Sequence, residues 1–179
     1  MKKILFTVFS VFAFTVAINA QEQGQFRLNT GLAFGSEAGF DGSGFGINVG
    51  GEYFFTDVIS AAPSYTYFFE DSEDILGFES SVRLSSINLD GRYYFLTDDI
   101  QVYGLFGIAF LSINGETQIV DFFGVSETVE FDDNETGVNF GGGIVYPLSD
   151  KVGLNGQLKY QTPGDSQLVI NAGVAINLN

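Results

Sequence analysis

The chain has 179 residues, enough for one domain, but only 16% of them are charged against 45% hydrophobic, which is poor in charge for a water-soluble protein. Its net charge of −15 excludes a nucleic-acid-binding surface, which requires basic residues. With no Cys and no His, it lacks disulfides, thiolate metal ligands and the commonest catalytic base, so we expect a non-enzymatic protein without a metal site or other cofactor.

The first twenty residues have the layout of a secretory signal peptide. Two lysines follow the first Met, an apolar run extends to Ile18, and Ala20 precedes a polar stretch. A transmembrane anchor is the alternative, but the run is short for a bilayer span. We therefore predict a cleaved signal at residues 1–20 and a single β-barrel domain at residues 21–179.

Beyond the signal, apolar and polar residues alternate with a period of two, which is typical of β-strands. In the first such stretch, Phe26 and Leu28 share one face, while Arg27 and Asn29 share the other. No stretch shows a helical period. Eight strands are predicted in this way: residues 25–34, 45–55, 59–69, a fourth ending at 96, a fifth ending at 110, and residues 138–146, 152–160 and 168–178.

Residues 91–110 are the clearest hairpin, in which two alternating stretches flank a short turn that contains two Asp residues. Similar phrases occur at residues 51–69 and 143–160. Turns are short after the second, fourth and sixth predicted strands, and loops are longer after the others. This asymmetry indicates a meander of hairpins whose short turns all lie at one end.

Two features depart from the alternation. Pro63 lies inside the third predicted strand and cannot donate to a ladder, so it predicts a bulge or an irregular ladder. Leu105 and Leu111 fall on the small or polar face of the fifth strand, which makes the face assignment there the least regular.

The predicted loops are acidic. Residues 70–81 are interpreted as an acidic loop, and residues 112–136 as the longest loop. Within it, residues 117–131 are predicted to continue the fifth and sixth strands as a hairpin above the membrane, joined near residues 123–124. Carboxylates at 70–74 and 130–135 could bind calcium, but their spacing matches no known calcium loop. A solvated, self-repelling surface is the favoured interpretation.

Eight alternating strands fit either a soluble barrel with an apolar interior or a membrane barrel with an apolar exterior. One face of these strands is rich in Gly, Ala, Ser and Asn, and the other carries bulky aliphatic residues with aromatic residues near both strand ends. Aromatic girdles at two levels are typical of membrane interfaces. We therefore predict an all-β fold, an eight-stranded antiparallel up-and-down transmembrane β-barrel.

The phrases GEYFFTD, GRYYFLTDD and FGGGIVYPLSD resemble the OmpA/OmpX-like, opacity-type family of small outer-membrane β-barrels, over residues 25–179. The resemblance implies a place in the cell outer membrane of a Gram-negative bacterium. It also implies contact with outer-membrane lipid, insertion by the outer-membrane insertion machinery, and a monomeric barrel.

Four charged residues lie on the predicted lumen faces near the end with short turns. Arg27, Glu52 and Arg92 lie at similar distances from the ends of their strands, and Asp90 lies one layer further in. A charge in a narrow lumen is costly unless it is paired, so these residues predict a lumen charge cluster. Its role would be that of a plug or gate or, as we favour, a structural filler.

Three functions remain open at this point. A non-enzymatic surface barrel, acting in envelope structure or in surface contact through acidic extracellular loops, is favoured. A narrow pore or carrier for small or hydrophobic molecules is the alternative, although eight strands leave little lumen. An enzyme is disfavoured by the missing His. The sequence does not identify a surface ligand.

Overall fold

The computed structural model describes residues 23–39, 42–75, 78–120 and 126–178. The predicted signal peptide lies outside these residues and stays a prediction. Within them, no helix is long and apolar enough to cross a membrane. The strands are β1 (Phe26–Gly35), β2 (Gly44–Phe54), β3 (Ile59–Phe68), β4 (Asp71–Ile75), β5 (Phe78–Thr97), β6 (Gln101–Val120), β7 (Ser126–Pro147), β8 (Val152–Gln161) and β9 (Gln167–Asn177).

The strands form one closed antiparallel sheet. Neighbours in sequence pair with one another except β3 and β4, β1 pairs with β9, and β3 pairs with β5 to complete the circle. Strands β3 and β4 follow one another along the same edge of β5, so the barrel has eight strand positions. The predicted eight-stranded barrel is therefore confirmed, with the third position divided between β3 and β4.

Two regions that the sequence assigns to loops contain strands in the structure. Within the predicted loop 70–81, residues 71–75 and 78–81 are strand, because β4 pairs with β5 from Asp71↔Val82 to Ile75↔Phe78. Residues 117–131 continue β6 and β7 as predicted, with an unbroken register that reaches Val120↔Ser126. The predicted junction of that hairpin at residues 123–124 lies outside the described residues.

Pro63 makes the ladder irregular without shifting its register. Strands β2 and β3 pair at Gly50↔Ser64 and again at Tyr53↔Ala61, which is the same register on both sides of the proline. Pro63 faces outward and stays in register with β5 at Leu89. The missing N–H therefore interrupts one ladder locally, and no bulge is needed to accommodate it.

The outward face of the barrel is apolar. Leu32, Phe45 and Phe106 are each about two-thirds exposed, at 66%, 67% and 65%. A continuous band of such side chains would be unfavourable in water and is suited to lipid. The inward face is the opposite, because every residue from Arg27 to Ala33 with an odd number lies toward the lumen and is small or polar.

Aromatic rings pair at two levels on this outer face, as the sequence predicts. Near the short turns, Phe26 contacts Tyr53 at a ring-centroid distance of 5.4 Å. Near the longer loops, Phe34 contacts Phe45 at 5.2 Å. The eight steps from residue 26 to residue 34 span about 26 Å along the strand, or about 20 Å along the membrane normal at a tilt of about 40°. The two levels are therefore spaced like the girdles of a membrane barrel.

The lumen contains two apolar layers with polar residues between them. The layer near the short turns consists of Phe54, Tyr94, Tyr103, Leu105, Val145 and Ala175. The layer near the longer loops consists of Ala33, Ala38, Phe68, Leu84, Leu111 and Val169. Leu105 and Leu111 depart from the sequence alternation because they belong to these layers, where an eight-stranded barrel is filled by side chains.

The seam between the first and last strands depends on two glycines. Gly31 lies directly opposite Gly173 in the β1–β9 pairing. A side chain at either position would meet the backbone of the facing strand. Glycine therefore permits the close approach of β1 and β9 at this level.

Candidate functional site

Glu52 is the centre of a buried charge cluster in the lumen. Its Oε2 lies 2.8 Å from Nη1 of Arg92 and 3.9 Å from Nη1 of Arg27. All three side chains are buried. The structure thus brings together the three residues that the sequence places at one height, on β1, β2 and β5.

Three further groups donate hydrogen bonds to the Glu52 carboxylate. The hydroxyls of Ser60 and Tyr94 lie 2.6 and 2.7 Å from Oε1, and Nδ2 of Asn29 lies 3.2 Å from Oε2. Hydrogen bonds to a charged acceptor are about twice as strong as neutral ones. The carboxylate on β2 is therefore bound by donors from three other strands, β1, β3 and β5, which links four neighbouring strands of the barrel wall.

Each arginine has a second set of partners beyond Glu52. Arg27 donates from Nε to Asn177 Oδ1 at 2.9 Å, and its guanidinium lies 5.0 Å from the centroid of the Phe54 ring. Arg92 donates from Nη2 to Gln157 at 2.9 Å and lies 4.6 Å from the Tyr103 ring centroid. Both rings belong to the apolar layer near the short turns. Each guanidinium group therefore lies directly against that layer.

Asp90 lies in a second polar layer, closer to the middle of the barrel. Its Oδ2 is 3.6 Å from Nζ of Lys159, and its Oδ1 accepts a hydrogen bond from Asn139 at 2.8 Å. Asn139 also donates to Asn88, which accepts a hydrogen bond from Gln161 at 2.6 Å. Among the described residues, Asp90 is therefore paired with a lysine on β8 and not with either arginine.

Lys159 is the charged lumen residue that sequence reasoning missed. It is buried, on the inward face of β8 between the outward residues Leu158 and Tyr160. The alternation alone places it in the lumen, so the signal was present. The sequence does not give the height of Lys159 along the barrel relative to Asp90, because that height depends on how β5, β6, β7 and β8 are paired in register.

The buried carboxylates of the lumen are paired with cations and with neutral donors. The carboxylates of Glu52 and Asp90 are each occupied by cations and amide or hydroxyl donors. Among residues 23–39, 42–75, 78–120 and 126–178, no group of three or more acidic side chains could hold a metal ion.

A second region of interest is formed where β5, β6 and β7 extend past the ends of their neighbours in the barrel. The pairing of β7 with β8 ends at Asn139↔Gln161, and that of β3 with β5 ends at Tyr67↔Ser85. Past these points, β5, β6 and β7 continue together and β4 joins them at the edge of β5. We call this four-stranded extension the protruding sheet; it comprises β4 and residues 78–84, 112–120 and 126–137.

One edge of the protruding sheet is open in the described part of the chain. The backbone N–H and C=O of Val138 both bond Thr162, which places them on the side away from β6. Backbone groups alternate sides along a strand, so the even-numbered residues from 128 to 136 also point theirs to that side. Asn134 is consistent with this, because its N–H bonds the side chain of its neighbour Asp133.

The protruding sheet carries unbalanced negative charge. Glu116 on β6 lies directly opposite Glu130 on β7, and both are exposed. Asp132, also exposed, follows on the same face of β7. The cation in this region, Arg83, is already engaged in an ion pair with Glu70. The sheet therefore presents an acidic face and an acidic edge.

A closed barrel with an apolar exterior, aromatic girdles at two levels and a polar, filled lumen defines a small membrane β-barrel. The family model described as "Outer membrane protein beta-barrel domain" matches residues 4–178. The chain belongs to this family and is an outer-membrane protein. A search of curated proteins finds no match.

Solved structures of outer-membrane barrels share the fold. The N-terminal barrel domain of Pseudomonas aeruginosa OprF is 18% identical and aligns over 88% of this chain and 100% of its own, with a TM-score of 0.58. Yersinia pestis Ail, solved in complex with the heparin analogue sucrose octasulfate, is 17% identical and aligns over 88% of this chain and 99% of its own, with a TM-score of 0.59. OprG of Pseudomonas aeruginosa is 14% identical and aligns over 91% of this chain and 100% of its own, with a TM-score of 0.62. At these identities, the similarity is one of fold.

Proposed function

We propose that this protein is a non-enzymatic outer-membrane barrel that acts in surface contact through its protruding sheet. The observation that carries the proposal is the open, acidic edge of β7 at residues 128–136. The proposal takes the short turns to lie on the periplasmic side, as in other outer-membrane barrels, so that the protruding sheet would lie outside the cell. An open edge offers backbone hydrogen bonds to an added strand, and its side chains choose the partner.

The partner that this edge favours is an extended, basic segment. Glu130 and Asp132 are exposed beside the open backbone groups, so lysine or arginine on an added strand would meet opposite charge. Ail, in contrast, has been solved with a polyanionic heparin analogue. The acidic charge of the present chain disfavours a ligand of that kind.

The filled lumen favours this role over that of a pore. Two apolar layers lie on either side of the charged residues, and the largest side chains in them, such as Phe68 and Tyr94, are buried. Ions that cross the lumen would have to pass these two layers of buried apolar side chains, and apolar constrictions hinder hydrated ions. We expect no steady conductance from the protein in planar bilayers, and a steady open-channel current would favour the pore.

Surface contact is tested with the folded barrel in lipid nanodiscs and a decapeptide of alternating lysine and valine. We expect saturable, salt-dependent binding that is lost in Asp132→Pro. The N–H of Asp132 faces away from β6, so proline removes no bond of the barrel but blocks an added strand. The matched control is Asp150→Pro, at a periplasmic turn. A glutamate–valine peptide that binds equally well, or unchanged binding by Asp132→Pro, would refute the proposal.

A further inference from the structure

A cavity of about 330 Å³ opens where the protruding sheet leaves the barrel. Its floor is formed by Leu84 and Leu111, which belong to the apolar layer at this end of the lumen. Its walls include Val82 and Ile113, which pack against the same layer. Sites for small molecules have volumes of roughly 300–1,000 Å³ and mostly apolar linings. The cavity is therefore large enough for a compact ligand and suited to an apolar one.

The ring of Phe131 forms a further part of the cavity wall, and it occupies space that a glycine leaves open. Gly115 on β6 lies directly opposite Phe131 on β7, and both are on the lumen side of the sheet. The ring occupies the space that a side chain at Gly115 would need. An aromatic face attracts cations, and quaternary ammonium groups are recognised in this way.

Carboxylates from two different loops lie at the rim. Glu37 follows β1, and Asp165 lies between β8 and β9; both are exposed and line the cavity. The β8–β9 loop is attached to the sheet, because the N–H of Gly164 donates to the Glu135 carboxylate. No Lys or Arg is among the described residues that line the cavity. The rim is therefore negative without compensation.

We propose that this cavity binds a compact hydrophobic cation, with an apolar body of about the size of a benzyl group and an ammonium-type head. The body would displace water from Leu84, Leu111 and Ile113, and the head would lie between the Phe131 ring and the two rim carboxylates. This site is separate from the open edge of β7, so it does not depend on the proposed surface contact. An anion of the same shape would be repelled, and a cation without the apolar body would remain hydrated.

The test uses the folded barrel in nanodiscs of zwitterionic lipid, with benzyltrimethylammonium as the probe. Benzenesulfonate reverses the charge, and tetramethylammonium removes the apolar body. Binding is followed by saturation-transfer NMR on the probe. We expect saturable binding of benzyltrimethylammonium alone. Absence of saturable binding, or equal binding of benzenesulfonate, would overturn the proposal.

Variants assign the binding to the cavity. Ile113→Trp fills it and should weaken binding by about tenfold or more, and the pair Glu37→Gln with Asp165→Asn should weaken it by about five- to tenfold. Gly115→Ala displaces the Phe131 ring and should also weaken binding, which provides a second arm if the Trp variant does not fold. Asp98→Asn at a periplasmic turn is the control. Unchanged binding in the folded cavity variants would show that the probe binds elsewhere.

Discussion

The lumen and the protruding sheet share strands β5, β6 and β7, but their charged residues are arranged in opposite ways. In the lumen, Glu52 and Asp90 are buried and each meets a cation and a neutral donor. On the protruding sheet, Glu116 and Glu130 face each other across two strands, exposed and without a cation between them.

The difference follows from the solvent that surrounds each region. Inside the barrel, a buried charge is removed from bulk water, so an unpaired one is costly and the folded state requires a partner for it. Above the membrane, water screens the charges, and a like-charged pair is only weakly destabilising. Pairing therefore serves stability in the lumen, whereas unpaired charge on the sheet is available for contact. The predictions below test this division from its largest effect to its smallest.

Removing Glu52 should have the largest effect. Glu52→Ala leaves Arg27 and Arg92 buried without their carboxylate, and breaking a buried pair in this way costs about 3–5 kcal/mol of unfolding free energy. The measurement is a urea series in lipid vesicles. The folded fraction is read by gel electrophoresis of unboiled samples, in which folded and unfolded chains migrate differently. The control is Glu130→Ala, an exposed carboxylate that should change stability by less than about 0.5 kcal/mol. A loss below about 1 kcal/mol for Glu52→Ala would mean that the lumen is hydrated.

Removing Lys159 should have a smaller effect. Lys159→Met leaves Asp90 with the hydrogen bond from Asn139, and the lysine lies at a longer distance from its carboxylate, 3.6 Å, than Arg92 does from Glu52. We expect a loss of about 1–3 kcal/mol in the same urea series, since a buried carboxylate keeps one partner. Lys151→Met, on an exposed turn, is the matched control. A loss greater than that of Glu52→Ala would show that the layer of Asp90 and Lys159 contributes more to stability than the layer of Glu52.

Reversing one charge on the protruding sheet should stabilise it slightly. Glu130→Lys places a cation directly opposite Glu116, and such cross-strand pairs contribute about 0.2–1 kcal/mol. Amide exchange along residues 112–117 should slow, while that of residues 101–109 should not change. The gain should disappear at high salt, because exposed charges are screened. A gain that persists in high salt would point to packing instead of charge.

Shortening the protruding sheet should leave the barrel almost unaffected. Thr117 lies opposite Val129, so residues 118–128 can be replaced by a two-residue Asn-Gly turn without altering the register. We expect the unfolding free energy to change by less than about 0.5 kcal/mol, because the described residues that are removed, 118–120 and 126–128, pair with one another and not with the barrel strands. Circular dichroism of the shortened chain should still be that of a β-barrel. A shortened chain that fails to fold would show that the sheet supports the barrel.

The same division explains which parts of the molecule could be predicted from sequence. Where one strand face meets lipid, as at Phe26 and Leu28, the alternation is strong and the predicted facing is confirmed. Where a strand lies beyond the lipid-facing band, as at residues 71–75, its sequence does not alternate and predicts a loop. Lys159 was missed for a different reason: alternation gives the face of a residue, but its height relative to Asp90 depends on three successive registers.

The pairing of β1 with β9 has a consequence for how the barrel assembles. Every other pairing joins strands that are neighbours in sequence or separated by the short β4, whereas Thr30 pairs with Val174 across nearly the whole chain. Contacts between distant residues form late, because the intervening chain must first be brought into order. Hairpins can therefore form early and locally, and the circle closes last at the seam. Gly31 and Gly173 lie at that seam, so substitutions there should weaken the closed barrel and speed its opening more than they slow the formation of the hairpins.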